Sequence, residues 1–489
     1  MSADPSPANV LRSPKAGALV IRGGAIRSVG YAVGAGLGAA TSVFLLRGLG
    51  VEDFGRYATV GALLAIVSAL SDAGLTVIGT RELSLRDTQA ERDGLLSSLV
   101  GLRLVLSSLA ILAAAAFAVG AGYDDVMVAG VLLGGLGVLL VNTQATMMAP
   151  LAVGLRQGRI TAVEVLRTVL TLAGVAALAL AGASLLPYFA VQIVVGLAVL
   201  ALTPRLLGSA RGLRPVVDRR RAGELLRQAA PVGLALAMNI LYLRLLVVLV
   251  SLVSDETETG LYATAFRVVE LFIVLPPLLI GIALPLLAVA GAEDLDRLRY
   301  GLQGLTEMAV VSSLALALAL TVLAEPALRL LGGEDFVGAA RMLQLQAWAL
   351  LPLAVGSVLA IGLLSLGRQR AIAVANAVAV AVVLTAGLAL IAAYGGEGAA
   401  VAGIVAETVL LAALALALAS ARRDALPSVG FVWRPLLALA AGAATLLVPL
   451  PDWLDAALAL AVFAAVAFAV RAVPSEIFLA LTRRAPGDV

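Results

Sequence analysis

The chain has 489 residues, 61% of them hydrophobic and only 13% charged, with a net charge of +3 and neither Cys nor His. Globular domains run at about 45–50% apolar and about 25% charged, so the composition argues against a soluble fold of this length. The missing Cys and His remove disulfides, thiol nucleophiles, the usual structural zinc ligands and imidazole acid–base chemistry, and no cofactor is expected.

Met1–Ala16 is polar, carries Pro5, Pro7 and Pro14, and lacks a signal-peptide pattern, so 1–16 reads as a short cytoplasmic tail. Apolar runs then recur near 17–46, 57–79, 95–119, 125–148, 160–182 and 184–203. After a basic segment they continue near 228–253, 260–290, 302–324, 341–366, 371–393, 397–420, 433–450 and 453–473. Runs of about twenty residues cross a hydrocarbon core of roughly 30 Å. Backbone groups in lipid must be satisfied within the element, and these runs are too long and too continuous for barrel strands. The expected fold is an all-α polytopic membrane protein of about 14 transmembrane helices.

Placing both termini in the cytoplasm puts Arg81, Arg86, Arg92, Arg156, Arg159 and the arginines of 205–227 inside, followed by Arg297, Arg299, Arg368, Arg370, Arg422, Arg423, Arg434, Arg483 and Arg484. The outer loops keep only Arg47, Arg56, Arg329 and Arg341, and three outer turns (120–125, 254–259 and 394–398) are acidic with no positive residue. This alternation supports count and orientation together. Arginines at span ends serve as topology signals beside anionic headgroups, which leaves no reason to expect a nucleic-acid partner.

The polar interruption 205–227 falls after the sixth span. Gly55-Arg-Tyr57-Ala-Thr59 is echoed by Gly260-Leu-Tyr262-Ala-Thr264, each copy opening the second helix of its half. The expected organisation is an N-lobe (17–204), a basic cytoplasmic linker (205–227), a C-lobe (228–420), and a C-terminal helix pair with a short tail (421–489). The two six-helix lobes would be pseudo-symmetric, and repeated lobes with a site at their interface are a transporter plan. The small-residue run Gly30, Gly34, Gly36 and Gly38 suggests close helix packing. Pro276, Pro277 and Pro285 suggest kinks in the eighth span.

Charges inside the spans are the candidate functional groups. Arg27 lies about ten residues, or roughly 15 Å of rise, into the first span. Arg244 is deep in the seventh with no acid within a turn, and Arg267 and Glu270 sit on one face of the eighth. A central Arg costs about 2.5–3.5 kcal/mol even on the lenient scale, so such residues usually face a bundle interior or wet cavity. Arg22 and Arg103 are expected to snorkel to the cytoplasmic headgroups, and Glu164 and Arg167 to neutralise each other. Asp72 and Glu407 are the candidates for proton or Na+ coupling, and Glu52 and Asp53 for capping the second helix. Arg offers a planar fork of donors to phosphate, so Arg27 and Arg244, on the first helix of each lobe, suit a pyrophosphate-linked lipid or other polyanion, while Arg267 and Glu270 also read as a self-neutralising pair.

The stretch Leu45–Thr59 with Ser71-Asp-Ala-Gly-Leu75 and Arg81-Glu82 resembles the opening of the polysaccharide flippases, the O-antigen and teichoic-acid exporters of the superfamily that also holds multidrug and toxin extruders. Gly260–Arg267 and Leu330–Phe336 resemble later landmarks of that family, whereas the opening characteristic of lipid II flippases is not seen. The resemblance implies two lobes, alternating access, cationic cavity residues, and movement of a lipid-linked oligosaccharide across the bacterial-type inner membrane. Other polysaccharide-assembly membrane proteins would then be partners. Three alternatives stand beside it. A multidrug extruder would favour acidic cavity groups. A membrane glycosyltransferase would use Glu52 and Asp53 but generally needs a large outer domain. A non-transporting membrane scaffold is the third, and no residue excludes it.

Overall fold

A computed structural model describes residues 16–207, 214–273, 295–447 and 451–472. The terminal tail, Pro276, Pro277, Pro285, Arg483, Arg484 and the side chain of Arg22 lie outside the described parts. Among the described residues every regular element is helical: α1 (Ala16–Asp72), α2 (Leu75–Ser84), α3 (Gln89–Gly120), α4 (Asp125–Met147), α5 (Ala149–Val153), α6 (Gln157–Leu180), α7 (Leu185–Leu207) and α8 (Arg219–Val253). They are followed by α9 (Glu256–Ile273), α10 (Leu295–Val322), α11 (Ala324–Leu331), α12 (Ala340–Trp348), α13 (Leu350–Ser365), α14 (Gln369–Ala421), α15 (Trp433–Ala444) and α16 (Asp452–Ala469).

Nine described helices are long and apolar enough to cross a membrane, and two shorter apolar ones, Trp433–Leu447 and Trp453–Ala469, follow. Two of the nine contain a kink, α1 at Gly50 and α14 at Gly395. Counting each arm separately and adding α9 and the shorter pair gives the fourteen crossings expected from hydropathy. The expected outer loops at 47–56 and 394–398 are single-residue breaks instead. Gly50 (φ 72°, ψ −179°) and Gly395 (φ 54°, ψ −135°) occupy backbone regions closed to side-chain-bearing residues. One such residue redirects the helix while both flanks stay hydrogen-bonded.

The chain divides into two compact units, Met1–Val248 and Leu249–Val489. In the first, α2 and α3 bury Leu75, Ile78, Leu83, Leu95, Leu99 and Leu102 against Leu225 and Ala229 of α8. The extended chain before α8 is clipped to α3, with Val216 N–H donating to the Ser97 carbonyl at 3.1 Å. The basic segment beyond the sixth span is therefore joined to the first unit. Of the small-residue run, only Gly30 meets another helix, at Thr161. A Cβ on Gly34, Gly36 or Gly38 would touch nothing, so the expected tight seam is confined to one position. In the second unit, α15 and α16 pack Ala438, Ala459 and Phe463 onto Leu314 and Leu318 of α10.

The two echo segments adopt one local structure. Thr59 Oγ1 donates to the Gly55 carbonyl at 2.9 Å, and Thr264 Oγ1 to that of Gly260 at 2.7 Å, both hydroxyls being buried. Beside the first copy, Arg56 gathers Glu52 (2.9 Å), Asp53 (3.0 Å) and Asp124 (3.2 Å), the last of which also caps α4 through Met127 N–H. Glu52 and Asp53 thus serve Arg56 through side-chain pairs. Arg56→Ala is expected to cost about 1 kcal/mol, lowering the melting temperature of the detergent-solubilised protein by about 2 °C. An unchanged melt would make these pairs energetically idle. In the second unit Glu258, at the equivalent place in its copy, accepts from Gly396 N–H at 2.9 Å, beside the kink in α14.

Candidate functional site

The first unit encloses a cavity of about 300 Å³, bounded by the first arm of α1 and by α2, α3, α4, α5 and α6. Its polar lining includes Arg27, Thr76, Thr146, Gln157, Glu164 and Arg167. Arg27 is exposed on the first arm of α1 and lines the cavity. Glu164 and Arg167, one turn apart on α6, both line the cavity but form no ion pair among the described residues, against the expected self-neutralisation. The wall therefore presents two guanidiniums and one carboxylate.

Beside this cavity lies a buried network. Arg103 of α3 is 2% exposed, which overturns the expectation that it snorkels. Its Nη2 donates to Asp72 Oδ1 at 2.5 Å and to Thr76 Oγ1 at 3.0 Å, and its Nε donates to Thr146 Oγ1 at 3.0 Å. The hydroxyl protons are directed onward, from Thr146 to the Asn142 carbonyl at 2.9 Å and from Thr76 to the Asp72 carboxylate. Asp72 is the last residue of α1 and Thr76 stands in the first turn of α2. Thr146 stands in the last turn of α4. One guanidinium thus ties together the breaks that end α1 (Ala73–Gly74) and α4 (Met148), in the geometry expected of a buried, hydrogen-bonded charge.

The other charged candidates are not among the residues that line this cavity. Arg244 is half-buried on α8 and does not line it. Arg267 and Glu270 of α9 form the pair their spacing suggests, at 3.0 Å. Glu407, in the second arm of α14, is 5% exposed. Among the described residues no cluster of acids is arranged to hold a metal. Sequence reasoning missed the Asp72–Arg103 pair, though the signal was there: Asp72 is the lone acid of the second span and Arg103 the lone base of the third.

A family model described as polysaccharide biosynthesis protein matches residues 20–288, more than half of the chain, and a second, MatE, matches residues 231–391. No curated protein sequence matches. Among solved structures, the chain is similar to a lipid II flippase, MurJ, in an inward closed conformation, with TM-score 0.69 and 13% identity over 94% of this chain and 99% of that one. It is also similar to an inward-facing multidrug resistance MATE family transporter of the MOP superfamily, with TM-score 0.66 and 14% identity over 80% and 96%. A MOP superfamily transporter from Pyrococcus furiosus with a binding pocket of reversed polarity is similar too, with TM-score 0.58 and 14% identity over 87% and 99%. At these identities the likeness is one of fold.

Proposed function

The chain belongs to the polysaccharide biosynthesis protein family, and from that premise we propose that it is a transporter, not an enzyme, that carries a lipid-linked oligosaccharide from the inner to the outer leaflet. The observation that carries this reading is the cavity in which Arg27 and Arg167 stand as cations without ion-pair partners among the described residues. Such a wall suits a phosphorylated headgroup, because guanidinium meets phosphate oxygens with paired donors. Both termini lie in the cytoplasm of a bacterial-type inner membrane, as the arginine distribution supports.

In the proposed cycle, the headgroup enters from the cytoplasmic side and Arg27 takes the phosphate charge while the polyprenyl tail stays in lipid. Arg244 and the Arg267–Glu270 pair supply further polar contacts to the substrate. Asp72 and Glu407 are the candidate carriers of a coupling proton or Na+. Asp72 is held by Arg103, so its use would require that pair to open. A second reading, a cation-coupled multidrug exporter, is favoured by the MatE match over residues 231–391.

The test is a leaflet-translocation assay in proteoliposomes carrying a fluorescent polyprenyl-pyrophosphate saccharide. Arg27→Gln is expected to reduce the flipping rate at least tenfold with folding unchanged, the loss of one charge-assisted contact being worth about 1.5–3 kcal/mol. Wild-type rates in that variant, or pumping of organic cations with no movement of the saccharide lipid, would reject the reading in favour of the second.

A further inference from the structure

Arg103 carries five N–H donors, as every guanidinium does. Nε is spent on Thr146 and both hydrogens of Nη2 on Asp72 and Thr76. Nη1 is buried without a hydrogen-bond partner. One turn further along α3, the Ser107 hydroxyl is likewise buried without a partner, although the residue is fully enclosed. Buried donors are nearly always satisfied, so two on one face of one helix call for a reason. Packing alone does not supply it, since an apolar side chain would fill the same space without the desolvation cost.

Both hydroxyls that Arg103 holds, those of Thr76 and Thr146, line the cavity with Arg27 and Arg167. Their protons already point elsewhere, so each meets the cavity only as an acceptor. Counted with the Asp72–Arg103 pair, the site has three guanidiniums and two carboxylates. A ligand completing this set brings an anionic oxygen for Nη1 and hydroxyl donors for the threonines.

We propose that Arg103, buried behind the cavity wall and not itself among the lining residues, becomes a ligand-contacting residue when the cavity is filled, its Nη1 donating to a phosphoryl oxygen of a phosphorylated sugar, while Asp72 holds the guanidinium aimed and restrains its affinity. The proposal rests on the transport reading and extends the site by a cation placed behind the Thr76 and Thr146 hydroxyls. The shared chemistry is a phosphate or pyrophosphate joined to a polyol; its source is either a lipid headgroup or a soluble sugar phosphate.

The experiment is calorimetric titration of inorganic pyrophosphate into the full chain in nanodiscs, repeated with polyprenyl pyrophosphate in the nanodisc lipid. Arg103→Lys keeps the charge and the reach to Asp72 but loses the spare donor pair, and is expected to weaken pyrophosphate binding about tenfold. Asp72→Asn leaves the guanidinium uncompensated and is expected to tighten it. Opposite signs mark direct contact, whereas a purely structural pair makes both variants weaken binding together, which overturns the proposal. Competition by the polyprenyl lipid identifies the headgroup as the source; its absence identifies a soluble phosphate. Unchanged binding in Arg103→Lys alongside loss in Arg27→Gln removes Arg103 and keeps the cavity, while no pyrophosphate binding by the wild type rejects both. Should Arg103→Lys fail to fold, the sign of the Asp72→Asn effect decides.

Discussion

Gly233→Val is expected to leave almost no folded protein in the membrane. A Cβ at Gly233 would fall within contact distance of the Ala73 carbonyl carbon and oxygen and 2.7 Å from the Gly74 nitrogen. From the other side, a Cβ on Gly74 would meet the Ala229 carbonyl oxygen at 2.7 Å and the Gly233 nitrogen at 2.8 Å. These neighbours are all backbone, and no rotamer change can move them aside. Overpacking a relaxed core costs about 1–3 kcal/mol; main chain against main chain, at a break already held in the left-handed region at Ala73 and Gly74, belongs above that range. Gly223→Val on the same helix is the control, since nothing lies within 4 Å of a Cβ there. It is expected to change stability by less than about 1 kcal/mol. Detergent melts and size-exclusion profiles of fluorescently tagged variants measure both. A well-folded Gly233→Val protein would show that α8 does not cross α1 this closely.

This contact also shows where the sequence was informative and where it was silent. Helix number and the alternation of arginines follow from lipid physics acting on each run separately, so both could be read from composition and spacing. Which residue makes each outer break could not. Gly48 and Gly50, or Gly395, Gly396 and Gly398, are alike on paper, and only φ distinguishes Gly50 and Gly395 as the turning points. Likewise Gly34, Gly36 and Gly38 have the spacing of a packing seam but touch nothing, whereas Gly74 and Gly233, in separate segments, meet. Small residues permit close approach; long-range topology decides which of them use it.

The charged residues divide in the same way. Arg267 and Glu270 pair as their spacing suggests, because the information lies within one helical turn. Glu164 and Arg167 have the same spacing and form no ion pair among the described residues, where both line the cavity beside α6. Depth alone singled out Arg27, which is among the residues lining the cavity. Arg103 was misread by a depth argument too, since reach to the surface is irrelevant once a carboxylate on a neighbouring helix is closer. A partner 31 residues away leaves no periodic trace. Asking which lone acid answers each lone base in adjacent spans would have found it.

The Asp72–Arg103 pair carries the second large expected effect. Arg103→Met should cost about 3–5 kcal/mol, because it strands the Asp72 carboxylate with only the Thr76 hydroxyl and removes the donor that positions Thr146. Asp72→Leu should cost at least as much, since the guanidinium it strands is 3% exposed against 25% for the carboxylate and keeps only the two threonine hydroxyls as acceptors. The double variant Asp72→Leu with Arg103→Met removes both charges together and should recover most of the loss, since an apolar replacement of a buried pair is often neutral. A thermal-melt cycle on the purified protein should give a coupling energy of about 2–3 kcal/mol. Additive losses would mean that the two groups are solvated separately and that the breaks in α1 and α4 are held by packing alone. A folded double variant has a further use: it retains Arg27 and Arg167 and lacks only the Asp72–Arg103 pair. Its pyrophosphate affinity against that of the wild type then separates what the pair does for the fold from what it does for the phosphate.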